Sequence, residues 1–488
     1  MARALKILYV SSEMAPLVKT GGLADVSLAL PRALRELGHD VRVAIPCYGS
    51  IPQDYWGERR GTCYVNLNSA TQFGALREFR VPGAGVPVYL IEHDGYFGRP
   101  HPYSRNGYEY EDNLERFCFF SMAVLDGVGQ TGWRPDLVHC NDWHTAVIPA
   151  YIKTRLEDHP VWGRMPTVLT IHNLGYQGRY HASLLPRTGL DPRLFTPDCL
   201  EYYGDINLLK AGIRFAGKIN TVSRTYAREI QTPAYGHGLD GFLRTRRADL
   251  TGIVNGVDYS EWDPASDPRI AAPFSVADLS GKHVCKKQIR KELGLDETDA
   301  PLFAMVTRLV CDKGLDLIVG GLERLLAENL QMMILGTGDP GYERALQHRA
   351  EQFSGRLAVA FTHNETLAHQ FYAGADFFLM PSLTEPCGLS QMYSLRYGAA
   401  PVVRKTGGLA DTVIDASPAN ILKGRATGVV FRPPTVEALV RAVYRSLRLY
   451  LEPSTFEAIR VMGMKMDFSW ERASRAYVDL YRRAIAKP

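Results

Sequence analysis

Short apolar runs alternate with helical patterns along most of the chain. The first run, Lys6 to Val10, precedes a glycine-containing segment and then apolar residues at helical spacing that end at Gly38. This order predicts a strand, a loop and a helix. Further strand-like runs, most of them separated by helical patterns, lie at Val41 to Ile45, Val86 to Ile91, Leu137 to Cys140, Val168 to Ile171 and Ile219 to Val222. The alternation predicts an α/β fold, with a parallel sheet covered by helices on both faces.

The pattern lapses after Val257 and resumes near Ala300. A second series of strand-like runs then follows, with a helical pattern at Leu315 to Leu326: Leu302 to Val306, Met332 to Leu335, Leu357 to Phe361, Phe377 to Met380 and Pro401 to Val403. We therefore predict two doubly wound domains, with a boundary near Val257. Residues 1–256 form the first domain and residues 257–469 the second.

Composition narrows the class of protein. Over 488 residues, 56 Lys and Arg against 52 Asp and Glu leave a net charge of +4, too little for binding nucleic acid without regard to sequence. The eight cysteines lie at least sixteen positions apart, so a CxxC metal or redox pair is excluded. The N-terminus shows no apolar leader, and no apolar run approaches about 20 residues. We expect a cytoplasmic protein that binds neither nucleic acid nor membrane.

The heptapeptide KTGGLAD occurs twice, at Lys19 to Asp25 and at Lys405 to Asp411. Each copy follows a predicted strand, in a different domain. A Gly-Gly turn at a helix N-terminus presents backbone N–H groups to an anion. The two copies are therefore candidates for binding one ligand, and the alternative is that both are tight turns.

Charged residues also follow predicted strands of the second domain, where ligands of parallel sheets bind. Arg308 and Lys313 lie in TRLVCDKGLD and suit a diphosphate, unless they belong to a solvated loop. Glu385 lies in PSLTEPCGLSQ, between two prolines, and a helical pattern follows. Its carboxylate can bind a sugar hydroxyl or stabilise positive charge, or it caps the following helix.

In the first domain, HCNDWH places Asp142 after one strand and TIHNLGYQG places His172 after the next. His139, His144 and His172 lack a carboxylate companion at metal-ligand spacing, and no DxD pair is present. We therefore expect no metal and no cofactor.

These residues resemble one family along nearly the whole chain: the bacterial glycogen synthases and plant starch synthases. The motifs that carry the resemblance are SSEMAPLVKTGGLADV, NDWH, TIHNLGYQG, LLKAG, TVSRTYAREI, VNGVD, TRLVCDKGLD, EPCGLSQMYSLRYG, KTGGLADTV and MDFSW. The resemblance implies the GT-B architecture, with two Rossmann-like domains, an interdomain cleft, and a C-terminal helix (470–488) that packs back onto the first domain. It implies an acceptor side in the first domain and nucleotide-sugar binding in the second. The implied enzyme activity is transfer of glucose from ADP-glucose to the 4-hydroxyl at the non-reducing end of an α-1,4-glucan such as glycogen, with retention of configuration.

The resemblance also implies roles for individual residues. Glu385, His172 and Asp142 are the implied catalytic residues. The implied substrate-binding residues are Lys19, Gly21, Gly22, Asp25, Tyr176, Asn255, Arg308, Lys313, His363, Cys387, Gly388, Leu389, Thr406 and Gly407.

One departure concerns the nucleotide base. The family's GYHE reads THNE here, so His363 stands where an aromatic residue commonly contacts the base. This departure leaves open a related transferase that uses another donor such as UDP-glucose. An inactive glucan-binding protein is a separate alternative. Aromatic pairs such as Tyr202 and Tyr203 are candidates for stacking on sugar rings or for the core.

Overall fold

The computed structural model describes residues 3–67, 70–83, 85–105 and 107–486. The chain divides into two compact units. Unit 1 comprises Met1–Gly256 and Trp470–Pro488, and unit 2 comprises Val257–Ser469. Each unit is described by itself.

The strands of unit 1 are β1 (Lys6–Val10), β2 (Asp40–Pro46), β3 (Glu58–Leu67), β4 (Ala70–Arg80), β5 (Pro87–Glu92), β6 (Ser104–Arg105), β7 (Tyr108–Glu109), β8 (Leu137–Asn141), β9 (Thr167–Ile171), β10 (Arg179–His181), β11 (Glu201–Tyr202), β12 (Asp205–Asn207), β13 (Lys218–Thr221) and β14 (Leu250–Gly252). Its helices are α1 (Gly22–Glu36), α2 (Asp94–Phe97), α3 (Asn113–Gln130), α4 (Val147–Lys153), α5 (Leu208–Phe215), α6 (Arg224–Glu229) and α7 (Asp240–Thr245), with 3₁₀ helices at Gln53–Tyr55, Ala182–Thr188 and Pro192–Leu194.

Within the described residues, unit 1 is built on a nine-stranded sheet in the order β14-β13-β9-β8-β1-β2-β5-β4-β3. The strands from β14 to β5 pair in parallel, and β3 and β4 extend that sheet as an antiparallel hairpin. Strands β8 and β9 are buried along their whole length, as expected for parallel strands covered on both faces. The strand order reverses direction between β1 and β8, which makes that point a topological switch point, where ligands of such sheets bind.

The helix Trp470–Ala486 belongs to unit 1, although unit 2 precedes it in the chain. It packs against α1 and against β8, β9 and β13. Tyr477 and Tyr481 are fully buried on its inner face. The Tyr481 hydroxyl lies 2.8 Å from Nδ1 of His139, and the Tyr477 hydroxyl accepts from Nδ2 of Asn220 at 3.1 Å. The C-terminal segment therefore completes the core of unit 1.

The strands of unit 2 are β15 (Leu302–Val306), β16 (Gln331–Leu335), β17 (Leu357–Ala360), β18 (Phe377–Met380), β19 (Ala400–Arg404) and β20 (Val429–Phe431). Its helices are α8 (Ser280–Glu292), α9 (Leu315–Leu326), α10 (Pro340–Gln352), α11 (Glu365–Gly374), α12 (Ser390–Arg396), α13 (Gly407–Thr412), α14 (Pro418–Leu422), α15 (Val436–Tyr450) and α16 (Pro453–Met464), with a 3₁₀ helix at Cys311–Lys313.

The sheet of unit 2 is parallel throughout its described strands, in the order β17-β16-β15-β18-β19-β20. Alternate residues of one strand enter two different cores. Phe303 and Met305 of β15 pack in one cluster, while Leu302 and Ala304 pack in the other. Both faces of the sheet are thus covered by helices. The switch point of this unit lies between β15 and β18.

The predicted fold class, two doubly wound α/β domains, is confirmed. The sequence analysis did not predict the β3–β4 hairpin or the small sheet β10-β12-β11. None of the helices in the described ranges combines the length and the apolar character that crossing a membrane requires.

Candidate active site

The predicted site residues of unit 1 lie on loops that follow its parallel strands. The first KTGGLAD copy lies between β1 and α1, and Asp142 comes directly after β8. Because β1 and β8 are neighbours in the sheet, both loops leave the same edge at the switch point. His172 follows β9, the next strand along that edge.

The glycine loop of unit 1 is bound to a buried carboxylate. Glu13 is 4% exposed and accepts hydrogen bonds from N of Thr20 at 2.6 Å and from its Oγ1 at 2.9 Å. It also accepts from the Gly21 amide, and burial raises the pKa of its carboxyl. The amides of Thr20 and Gly21 thus bind the protein's own carboxylate, which differs from the predicted open anion cradle.

The outer side of this loop is open. Gly21 and Gly22 are exposed, and a Cβ atom added at either would have no neighbour within 4 Å. Lys19 Nζ lies 2.7 Å from Oδ1 of Asp25, in a half-exposed ion pair. Lys19 is therefore a cation that this loop can offer to a phosphate, beside the exposed glycine turn.

Asp142 occupies an unusual conformation for a residue other than glycine, with φ of 55°. Its Oδ1 accepts from the His172 amide at 2.7 Å, and its own amide donates to the Thr170 carbonyl at 2.9 Å. Burial raises the pKa of the Asp142 carboxyl to about 7, although backbone hydrogen bonds from His172 and Asn173 oppose that rise. Positive φ and a perturbed pKa together are typical of functional sites.

His172 is neutral at physiological pH, because burial lowers the pKa of its imidazole to about 3. Its Nε2 lies 3.0 Å from Oδ1 of Asn141, whose Nδ2 donates to the Val10 carbonyl. Oδ1 is thus the acceptor and Nε2 carries the proton. His172 cannot serve as an imidazolium acid, although its imidazole and its carbonyl remain available for hydrogen bonds to a sugar.

The other two histidines near this edge have different environments. His139 is bonded to Tyr481 and Thr170 within the core. His144 packs among Tyr103, Phe117 and Trp143, and its buried Nδ1 has no hydrogen-bond partner within the described residues. Burial lowers the pKa of each imidazole to about 3.

Tyr176 and Asn255 complete the predicted set of unit 1. Tyr176 is 57% exposed, on the loop that follows His172. Asn255 is buried, and its Oδ1 has no hydrogen-bond partner among the residues that the structure describes. A buried unpaired acceptor is uncommon and is consistent with a ligand-binding role.

In unit 2, Glu385 is 6% exposed in the loop after β18. Its Oε2 accepts from Lys313 Nζ at 2.6 Å and from Ser382 Oγ at 3.0 Å. The following helix α12 has no side-chain cap, so the capping alternative for Glu385 is wrong. Lys313 likewise does not belong to a solvated loop, because its ammonium binds this buried carboxylate.

The second KTGGLAD copy packs against the Glu385 loop. The Gly408 amide donates to the carbonyls of Glu385 at 3.1 Å and Pro386 at 3.2 Å. A Cβ atom at Gly407 would lie 1.9 Å from the Glu385 carbonyl oxygen, and one at Gly408 would lie 1.9 Å from that of Cys387. Thr406 and Gly407 are buried. The glycines of this copy thus permit a close approach of two loops, unlike the exposed glycines of the first copy.

The remaining predicted residues of unit 2 surround this loop or follow neighbouring strands. Cys387 is buried, Gly388 has φ of 72°, and Leu389 immediately precedes α12. Arg308 is exposed after β15, and His363 is exposed between β17 and Asn364, which caps α11.

A cluster of potential metal ligands in unit 2 lies outside the predicted site. Glu261, Glu365 and His369 bring their ligand atoms within 4.8 Å of one another. The Arg269 guanidinium contacts both carboxylates, at 3.3 and 3.4 Å, and Nε2 of His369 at 3.5 Å. A protein cation thus already contacts each of these groups.

Sequence reasoning missed residues that hold the loops in place: Glu13, Asn141, Ser382 and Arg404. Arg404 donates from Nε to the Ser382 carbonyl at 2.8 Å and from a terminal nitrogen to the Leu383 carbonyl. The contacts of Arg404 with the Glu385 loop depend on neighbouring strands, and no local pattern could have indicated them. Glu13, Asn141 and Ser382 lie inside motifs that were recognised, so their positions were a usable signal.

Comparisons with known proteins agree with this geometry. Residues 6–245 match the family model for the starch synthase catalytic domain, and residues 286–456 match that for glycosyl transferases group 1. Glycogen synthase 1 of Methylococcus capsulatus is 45% identical, over 99% of this chain and 97% of its own length. The glycogen synthase of Geotalea daltonii is also 45% identical, over 99% of each chain. The catalytic domain of starch synthase IV from Arabidopsis thaliana, solved with ADP and acarbose, is 33% identical with a TM-score of 0.90, covering 99% of this chain and 100% of that chain.

Two doubly wound units with polar loops at their switch points, together with these matches, define a glycosyltransferase. Within that class the chain belongs to the family of bacterial glycogen synthases and starch synthases. The resemblance inferred from the sequence motifs is thereby confirmed.

Proposed function

We propose that this enzyme transfers glucose from ADP-glucose to the 4-hydroxyl at the non-reducing end of an α-1,4-glucan, with retention of configuration, in the cytoplasm. The observation that carries the proposal is the buried Glu385, paired with Lys313 at the switch point of unit 2. It lies in a chain that matches relatives named glycogen synthase over nearly its full length.

The residues of unit 2 suit the donor. Breaking the bond between glucose and ADP builds positive charge on the sugar ring and negative charge on the leaving phosphate. Lys313 and Arg308 supply cations for the phosphates, and the Glu385 carboxylate stabilises the ring. Because Lys313 already lies 2.6 Å from Glu385, both charges of the transition state have a partner within one cluster. These fixed cations can neutralise the phosphates without a metal ion.

The leaving phosphate also provides a base. In a front-face reaction, a phosphate oxygen accepts the proton of the acceptor hydroxyl. At the same time the hydroxyl oxygen attacks C1 of the glucose, and the bond between C1 and ADP breaks. Retention follows because attack and departure use the same face. The proposal favours this route, in which Glu385 stabilises charge and forms no covalent bond.

The residues of unit 1 suit the sugar and the acceptor. Lys19 and the exposed Gly21-Gly22 turn are assigned to the donor phosphates and sugar, with Asp25 and Asn255 in support. Asp142, His172 and Tyr176 are assigned to the sugar and acceptor side. A neutral His172 fits this assignment because a sugar hydroxyl needs hydrogen-bond partners rather than a proton donor.

Glucose incorporation into glycogen tests the proposal directly. The purified protein is assayed with ADP-glucose and with UDP-glucose, each with and without EDTA, and the Glu385→Ala variant supplies the background. We expect incorporation from ADP-glucose that EDTA does not reduce. Incorporation from UDP-glucose alone would overturn the donor assignment and direct attention to His363. Glycogen binding without incorporation from either donor would indicate an inactive glucan-binding protein.

A further inference from the structure

A two-residue hairpin turn in unit 1 has an unfavourable residue at its tip. Strands β11 and β12 are joined by Tyr203 and Gly204, with φ of 51° and 85°. Asparagine and glycine enter such left-handed turn positions readily, whereas a bulky side chain is strained there by roughly 1–2 kcal/mol. The Gly204 amide donates to Oε1 of Glu201 at 2.7 Å, which stabilises the turn. The fold thus accommodates the backbone strain of a tyrosine at this position.

The structure also distinguishes the two tyrosines of the pair. Tyr202 is 7% exposed, its hydroxyl donates to the His237 carbonyl at 2.5 Å, and the Arg179 guanidinium lies 4.9 Å from its ring centroid. Tyr203 is 81% exposed. The two rings meet edge to face with centroids 4.8 Å apart. Tyr202 is therefore the support, and Tyr203 is an aromatic ring presented to solvent.

This hairpin is tied to the loop that carries His172 and Tyr176. The His237 carbonyl, which accepts from Tyr202, also accepts from Nε2 of Gln177 at 3.1 Å. Oε1 of Gln177 in turn accepts from Nδ2 of Asn207 in β12 at 2.6 Å. The exposed rings of Tyr176 and Tyr203 therefore belong to one hydrogen-bonded group of loops.

We propose that the Tyr203 ring is an acceptor subsite that stacks on a glucose ring of the α-glucan chain, away from the transferred glucose. This inference rests on the proposed function, since it assumes that the acceptor is an α-glucan. The faces of glucose rings carry C–H groups that pack on aromatic rings, and an exposed tyrosine supplies such a surface at a small entropic cost. A ring on this hairpin contacts the acceptor and leaves the donor untouched.

Two substitutions separate binding from folding. Tyr203→Ala removes the ring, and Tyr203→Gly removes the ring while relieving the backbone strain. Tyr64→Ala is the matched control, because Tyr64 is also exposed (56%) and also meets a neighbouring ring, Phe73, edge to face. The measurements are KM for glycogen and for ADP-glucose, kcat, the Kd of maltoheptaose by calorimetry, and Tm.

For both Tyr203 variants we expect KM for glycogen and Kd for maltoheptaose to rise about three- to tenfold. KM for ADP-glucose and kcat at saturating glycogen should stay unchanged. Tyr203→Gly should have a Tm equal to or above that of the wild type, which a purely structural loss would not produce. Tyr64→Ala should match the wild type in every readout.

An unchanged Kd for maltoheptaose in a folded Tyr203→Gly protein would overturn the inference, as would an equal loss in Tyr64→Ala. Should the wild type bind maltoheptaose but transfer no glucose, the proposed function fails, and the binding comparison still decides the role of Tyr203.

Discussion

At the scale of single residues, alanine substitutions of Glu385 and Lys313 are expected to have different effects on ADP binding. Glu385→Ala removes charge stabilisation at the sugar ring, so kcat should fall by about 10²- to 10³-fold or more. The affinity for ADP, measured by calorimetry, should change little. Lys313→Ala should also weaken ADP binding, because the cation interacts with the phosphates in the ground state as well. Near-normal turnover of Glu385→Ala would remove Glu385 from the mechanism.

Asp142 gives a second prediction, on stability and pH. Burial raises the pKa of this carboxyl from 3.8 to about 7 in the folded protein. Between these two values the folded state holds a proton that the unfolded state has released, so the contribution of Asp142 to stability is lost as pH rises through this range. Asp142→Asn cannot ionise, so its Tm relative to the wild type should be higher at pH 8 than at pH 5.

The buried histidines do not affect the difference in Tm between Asp142→Asn and the wild type. Burial lowers the pKa values of His139, His144 and His172 from 6.5 to about 3, so the stability they contribute is lost as pH falls through this range. Both proteins carry them, and their effect cancels in the difference of Tm values. Parallel curves of Tm against pH for the two proteins would contradict the assignment of a raised pKa to Asp142.

At the scale of elements, the two KTGGLAD copies are expected to respond oppositely to one substitution. Gly22 and Gly408 occupy the same position of the repeat. Gly22→Ala adds a methyl group with no neighbour within 4 Å at the start of α1, so stability should be unchanged or slightly higher, while KM for ADP-glucose should rise. Gly408→Ala forces a Cβ atom to 1.9 Å from the Cys387 carbonyl oxygen, and we expect a loss of about 3 kcal/mol or more.

Urea unfolding and donor kinetics on both variants check this prediction. Equal destabilisation by the two substitutions would mean that the copies have equivalent environments, contrary to the structure. A stable Gly408→Ala protein would likewise contradict the close packing of α13 on the Glu385 loop.

The same repeat shows what the sequence could and could not predict. Apolar runs of four to six residues, such as Phe377 to Met380, located the parallel strands. A strand that is covered by helices on both faces needs apolar residues at nearly every position. The motifs also located the loops at both switch points. Two identical heptapeptide sequences could not reveal that one glycine pair is exposed while the other packs on a neighbouring backbone, because that difference arises from non-local contacts.

Errors in predicting the sheet have a similar cause. The β3–β4 hairpin was missed because neither strand is a long apolar run. The edge strand β3 alternates buried and exposed residues, as in Cys63 and Tyr64, and β4 carries polar residues such as Gln72 and Arg77. The ion pair of Lys313 with Glu385 was missed because 72 residues separate its members. The sequence therefore predicted which residue types form the site and which strands they follow. It did not predict their hydrogen-bond and ion-pair partners.

At the scale of the whole molecule, the two units share one topology. In each, the first strand lies beside the fourth parallel strand of the unit, β8 or β18, and this pair forms the switch point. Lys19 and Asp142 follow these two strands in unit 1, and Arg308 and Glu385 follow them in unit 2. One architectural rule thus places the candidate residues of both units, although the residues themselves differ.

The C-terminal helix makes the stability of unit 1 depend on the end of the chain. Tyr481→Phe should leave Nδ1 of the buried His139 without its partner, at a cost of about 1–3 kcal/mol. Tyr481→Ala also leaves a cavity under the sheet and should cost about 3–5 kcal/mol. Leu451→Ala, at an exposed position of unit 2, is the control and should cost almost nothing.

Hydrogen exchange resolved by peptide identifies which unit responds, because a chain of two units need not unfold in one step. We expect both Tyr481 variants to accelerate exchange in β8, β9 and β13, which contact the helix, and to leave β15 to β20 unchanged. Since about 340 residues separate Tyr481 from His139 in sequence, this pattern would demonstrate that unit 1 is completed only when the last helix is in place. Faster exchange in unit 2 alone would contradict that dependence.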